Sequence, residues 1–172
     1  PIWHRRRGEE RALAWMRERS TQGFCRGDAA VVFEAALLGL LHLVEFAEAD
    51  EVWEMAAVLI DKLLFLLGTN AYQGVFGVAR GQAVTESLLG GYLDPTSGIA
   101  KLAWGMGILN EWIRTPVSLA LATTYELPVM LQEIAADLRP EGLWSREHHA
   151  VGDETWDTVA YKTSDYMLSA AV

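Results

Sequence analysis

The chain has 172 residues, 51% of them hydrophobic and 22% charged, with a formal net charge of −9. That composition belongs to a folded domain with a sizeable core, not to a disordered segment. The acidic balance repels phosphate backbones and disfavours nucleic-acid binding, and the lone cysteine, Cys25, excludes an internal disulfide and a CxxC metal site.

The chain begins at Pro1 with no secretory leader pattern, so it reads as a piece of a larger protein. The basic run Arg5-Arg6-Arg7 opens a first predicted helix region and carries no interleaved aromatics. Residues 9–22 form that helix, with Ala12, Leu13, Trp15 and Met16 close to helical period and Gly23 as its stop. Asp28 can cap a second helix over 30–47, which is apolar on nearly every side and so is expected to be enclosed. His42 lies in it and reads as a core histidine. Asp50 caps a third helix over 51–67, with Gly68 past its end. The link between helices two and three is so short that they form an antiparallel αα-hairpin. The apolar stretches 35–47 and 52–67 are short for a bilayer span and carry charges, so they are core helices and not transmembrane segments.

Residues 69–84 read as an irregular loop, punctuated by Gly74, Gly77 and Gly81, that brings backbone close to a neighbour. A helical turn follows over 85–89, then a break at Gly90-Gly91. Thr96 or Ser97 caps a helix extending to Trp112, weakened by Gly98, Gly105 and Gly107. Thr115-Pro116 starts another helix, Pro128 restarts it, and Arg139-Pro140 ends it. Three strands are expected at 143–148, 155–162 and 166–172, the second alternating so that Val159 and Tyr161 share one face. The expected architecture is therefore mainly α. Helical hairpins occupy residues 1–141 and a β segment occupies 142–172. Three strands alone leave open sheet edges, which a missing β-domain or a partner would complete.

Few catalytic motifs survive inspection. The loop from Gly74 to Gly81 lacks the Gly-Lys-Ser/Thr ending of a phosphate cradle and follows a helix, not a strand. His148 and His149 are adjacent on a strand and point to opposite faces, so one Cys and four His assemble no closed metal set. No cofactor is implied. No Gly-x-Ser-x-Gly elbow is present. Glycosidase chemistry needs paired carboxylates, for which Asp28, Glu34 and Asp94 are candidates, each with a structural reading as cap, dipole partner or turn former. More coherent is the polar group in the two irregular stretches: Asn70, Tyr72, Gln73, Arg80, Gln82 and Tyr92. Amides, guanidinium and phenols bind sugar hydroxyls and carboxylates, or they hold a long loop in shape.

Four segments carry a resemblance. They are residues 27–41, Asn70-Ala71-Tyr72-Gln73-Gly74-Val75-Phe76-Gly77, Pro95-Thr96-Ser97-Gly98-Ile99 through Trp104-Gly105-Met106-Gly107, and residues 159–168. Together they resemble bacterial carbohydrate-active proteins with an α/α-toroid followed by a β-sandwich. These include the heparinase II/III-like polysaccharide lyases and the six-hairpin glycosidases. The resemblance implies a partial toroid and a cleft lined by loops such as 69–84. It implies Tyr72 or Tyr92 as acid and base, Asn70, Gln73, Arg80 and Gln82 on substrate, and Trp104 or Trp112 stacking on a sugar ring. The chain departs from that pattern at Ala29, Ala30, Val31 and Val32, and at Arg80-Gly81-Gln82, where the similar proteins carry more polar cleft groups.

Two functions are therefore in competition. One is a carbohydrate-active lyase or hydrolase fragment, catalytically degenerate or not, acting on an oligo- or polysaccharide. The other is a non-catalytic helical scaffold or binding module that docks against the rest of a larger chain or a partner subunit. Convergence of the loop polar groups on one open cleft favours the first.

Overall fold

The computed structural model describes residues 2–24, 29–81, 83, 85–151 and 153–172. The expected Asp28 cap, Cys25 and Gln82 lie outside the described residues. The chain is mainly α, with a small antiparallel sheet at its C-terminal end. The helices are α1 (Ile2–Gln22), α2 (Ala30–Phe46), α3 (Asp50–Thr69), α4 (Thr85–Leu89), α5 (Ser97–Trp104), α6 (Arg114–Leu121) and α7 (Val129–Ala136). The strands are β1 (Ala71–Tyr72), β2 (Val75–Phe76), β3 (Leu143–Val151), β4 (Glu154–Lys162) and β5 (Met167–Ala171). Among the described residues no helix is long and apolar enough to cross a membrane.

Helices α2 and α3 pack along one another and share the core. Leu37, Leu40, Leu41 and Val44 are buried on one side, and Ala56, Leu59, Ile60, Leu63, Leu64 and Leu67 on the other. Burying each Leu or Ile contributes about 1.5–3 kcal/mol relative to exposure, which makes this pair the main source of cohesion. Three details differ from the sequence expectation. Helix α1 starts at Ile2, ahead of residue 9. Asp50 lies inside α3, in its first turn, where its charge meets the positive helix end, while Ala49 takes the cap position. Helix α5 ends at Trp104, not Trp112, because Gly105 takes a left-handed conformation (φ +79°) and closes it.

The expectation of an enclosed α2 is also corrected. Its Val31, Ala35, Gly39, His42 and Phe46 form an exposed stripe at helical spacing. His42 is not a core histidine. It stacks on Phe46, with ring centroids 6.1 Å apart, and Phe46 is 74% exposed. Helices α3 and α6 pack against other sides of α2, and this stripe is left exposed.

The sheet order is β3-β4-β5, all antiparallel. Tyr161 lies opposite Trp144 on one side and Leu168 on the other, and Ala160 lies between Ser145 and Ser169. Burial follows the alternation. His149, Thr158, Ala160 and Lys162 face inward, whereas Trp144, Arg146, Leu168 and Ala170 face outward. The Val159 and Tyr161 face is thus the outer one.

The inner face carries polar groups beside Leu143, Trp156 and Ala160 because it meets helix ends, where carbonyls lack intrahelical partners. The Lys162 ammonium, 1% exposed, donates to the carbonyls of Gly68 (2.9 Å) and Ala71 (3.5 Å) at the end of α3. Burial holds that ammonium below the usual lysine range, with Asp137 acting in the opposite direction. Ser145 donates to the Asn70 side-chain oxygen (3.3 Å) and Ser169 to the Gly77 carbonyl (2.8 Å). The same device recurs at α1, where Lys62 donates to the carbonyls of Arg19 (3.3 Å) and Ser20 (3.1 Å).

His149 is a second buried titratable group in this seam. It is 1% exposed, stacks on Trp156 at 5.4 Å and 14°, and its Nε2 lies 2.9 Å from the Thr158 hydroxyl. Burial, foremost, pushes its pKa below the ordinary imidazole value, with His148 and Lys62 adding and Asp157 opposing. The unfolded chain therefore takes up a proton near pH 6.5 that the folded chain refuses. Stability present above that value falls as the pH drops through it. The urea midpoint should be lower at pH 5.5 than at pH 7.5, and His149→Gln should shrink the difference. An unchanged difference in that variant would remove His149 as the cause. The Asp157 carboxyl, held low first by Arg146 and then by His148, contributes its own loss only nearer pH 4.

Candidate functional site

The polar loops leave from the C-terminal end of α3. There the chain forms a two-stranded ribbon, β1 against β2, closed by Gln73 (φ +50°) and Gly74 (φ +82°). The expected irregular loop is thus partly a hairpin, because two successive left-handed residues make the tight turn that a strand pair requires. Its tip does bring backbone close to a neighbour. A Cβ on Gly74 would lie 2.2 Å from the Gly107 nitrogen.

Each candidate residue has a defined surrounding. Asn70 is buried as the C-cap of α3, its carbonyl accepting from Gly77 N–H (3.1 Å) and its side-chain oxygen from Ser145. Tyr72 donates its hydroxyl to the Ser164 carbonyl (2.8 Å), and Gln73 donates to the Tyr72 oxygen (3.3 Å). Arg80 is not a free cation. Its guanidinium donates to Asp94 Oδ2 (2.6 Å) and to the Phe76 carbonyl, and it lies 5.1 Å from the centre of the Phe76 ring. Asp94 is buried and Arg80 largely so, with side-chain exposures of 1% and 9%. Tyr92 is exposed, and its ring leans over Gly90. Trp104 is half-buried against the core at the end of α5, and Trp112 is half-buried in the following loop.

The candidates therefore share a region and diverge in what they touch. Asn70 and Tyr72 engage the sheet, Arg80 engages the 90–97 turn, and Tyr92 faces solvent. The carboxylate candidates are engaged as well. Asp94 Oδ1 accepts from the Thr96 amide (2.9 Å) and hydroxyl, and the Asp94 carbonyl accepts from Asn110 (2.9 Å). Glu34 is buried and accepts from the Thr115 hydroxyl (2.7 Å). Among the described residues no cluster of three His, Cys, Asp or Glu side chains could hold a metal ion.

Sequence reasoning passed over Asn110, Ser164 and Tyr125. Asn110 donates to the carbonyls of Tyr92 (2.8 Å) and Asp94 and so shapes the 90–97 turn. Tyr125 donates to Asp61 (2.7 Å), and burial, with that carboxylate second, raises its pKa far above the usual phenol value. Such a phenol is a fixed donor, not an acid–base group. The bonds that give these residues their places reach partners 16 to 92 positions away, which the sequence does not show.

No protein-family model, curated protein or solved structure matches the chain.

Proposed function

We propose that this chain is a non-catalytic helical scaffold and binding module of a larger assembly, degenerate with respect to the carbohydrate chemistry its sequence resembles. One observation carries the reading: Arg80, the cation best suited to a substrate carboxylate, is closed onto the buried Asp94 and the Phe76 carbonyl. A lyase needs that charge turned toward a uronic carboxylate, and a phenol free to move a proton. Tyr72 instead bonds Ser164, and Asn70 is buried against Ser145. The uncovered stripe of α2 supports docking, since its apolar and small residues recur at the spacing by which helices pack.

The test is Arg80→Ala, read by thermal melting and by calorimetric titration with acidic and neutral hexasaccharides. The scaffold reading expects a melting temperature lowered by several degrees and no sugar binding in either protein. Wild-type binding that Arg80→Ala weakens, with melting unchanged, would restore the carbohydrate-active reading.

A further inference from the structure

The C-terminal sheet is fastened to the helices chiefly by polar bonds. Among the described residues, the continuous apolar core draws on buried side chains between Met16 and Leu131 and on none from β3, β4 or β5. Five residues from 143 onward are buried. Four of them, His149, Thr158, Lys162 and Thr163, are polar, and only Ala160 is apolar. Hydrogen bonds cross the seam: Lys162 reaches the Gly68 carbonyl, Ser145 the Asn70 side chain, and Ser169 the Gly77 carbonyl. Water replaces such bonds at little net cost, whereas parting α2 from α3 exposes apolar surface. The seam therefore opens more readily than the helical core. The strands themselves are joined by continuous antiparallel ladders. The chain passes from helices to this sheet once, between α7 and β3. Tyr161 holds the far end of that link to the sheet by donating to the Glu141 carbonyl (3.2 Å), which leaves residues 137–140 as the bend.

We propose that the C-terminal sheet is an acid-gated flap: it swings from the helices as a unit about residues 137–140, and protonation of His149 releases it. The imidazole sits where the flap meets the end of α1. Its ring lies on Trp156, and its Nδ1 is 3.6 Å from where a Cβ on Gly23 would stand. Charges face it from four elements. Strand β3 brings His148 and Glu147, whose carboxylate lies 3.9 Å from Nε2, and β4 brings Asp157. Helix α3 brings Lys62. Helix α1 brings Arg19, which donates to the Gly23 carbonyl (3.3 Å), and its partner Glu18. The carboxylates favour an imidazolium and the cations oppose it. Burial is the largest influence and disfavours the charged ring while the flap is closed. An open flap hydrates the ring, which then takes up a proton below about pH 6.5. Acid accordingly shifts the balance toward the open form. Opening withdraws Ser145 from Asn70 and Ser164 from Tyr72, and it bares the carbonyl end of α3. That end is a polar surface covered at neutral pH. The movement is independent of the scaffold reading.

A thiol placed in the seam reads the opening. Ala160→Cys and, in the helical core, Ala56→Cys are made separately in a Cys25→Ser background, since both alanines are buried. Labelling by 4,4′-dithiodipyridine is timed at pH 7.5 and pH 5.5, and each rate is divided by that of the urea-unfolded protein at the same pH. Ala160→Cys should react at least roughly tenfold faster than Ala56→Cys at both pH values, because the flap opens without global unfolding. Its labelling should accelerate several-fold at pH 5.5, and adding His149→Gln should abolish the acceleration. Met167→Cys, on β5 beside Gly77, should accelerate by the same factor, because the sheet moves as a unit. It stands in for Ala160→Cys if a thermal melt shows that variant unfolded. Equal rates in the seam and the core would mean that the sheet leaves only by global unfolding, and would overturn the proposal. So would an acceleration that survives His149→Gln, the absence of any acceleration, or different factors at 160 and 167. The Arg80→Ala titration bears on the scaffold reading alone, so the two can fail independently.

Discussion

Replacing Asp94 by Ala is expected to destabilise the fold by about 3–5 kcal/mol, the cost of leaving a buried charge without its partner. Asp94 holds three elements at once. One carboxylate oxygen takes the Arg80 guanidinium, the other takes the Thr96 amide and hydroxyl, and the backbone carbonyl takes Asn110. Truncation leaves Arg80, itself closed in beside Phe76, facing an empty site. It also removes the group that orders the turn leading into α5. The paired change Arg80→Met with Asp94→Leu should recover much of the loss, because two apolar groups of similar volume leave no charge to compensate. Denaturant unfolding at pH 7 of the single and paired variants measures both effects. A loss below about 1 kcal/mol for Asp94→Ala would be the scale of an exposed pair and would mean that the Arg80 contact is not structural.

Gly74→Ala should be the second severe change, and Gly105→Ala is its internal control. Both glycines have left-handed φ, +82° and +79°, so each substitution carries the intrinsic penalty of roughly 1–2 kcal/mol for a side chain in that region. They differ in surroundings. A Cβ on Gly105 meets nothing within 4 Å, whereas one on Gly74 would sit 2.2 Å from the Gly107 nitrogen and 2.7 Å from the Met106 carbonyl carbon. The opposing segment cannot retreat easily. Ser97 donates to the Ile108 carbonyl and accepts from the Ile108 amide, both at 3.0 Å, and Gly107 is itself pressed against the Ser97 carbonyl. The ribbon tip must therefore lift from α5. We expect Gly74→Ala to exceed Gly105→Ala by at least about 2 kcal/mol, the order of overpacking costs in a close-packed site, in urea unfolding. Equal losses would mean that the tip rests loosely.

Residues 35–47 and 52–67 determined two packed helices by themselves, because long apolar runs joined by a short link leave the chain little else to do. Pro116 and Pro128 marked helix starts through a constraint carried by the residue itself: Pro116 lies in the first turn of α6, and Pro128 immediately precedes α7. The three C-terminal strands were readable from alternation. Gly105 could have marked the end of α5, but a glycine tolerated in a helix and one closing it look alike until its φ is known.

Direction was another matter. Alternation states that Val159 and Tyr161 share a face, not which side of the sheet the helices occupy. The inner side was decided by the carbonyl end of α3, which accepts Lys162. The stripe from Val31 to Phe46 likewise reads as apolar in the sequence and is left open by the way α3 and α6 pack on α2. Arg80 has the composition of a substrate-binding group and became a structural one through Asp94, 14 residues away. Backbone preferences act over a few residues and are written locally. Burial and charge pairing depend on what arrives from elsewhere in the chain, so only the tertiary structure could assign them.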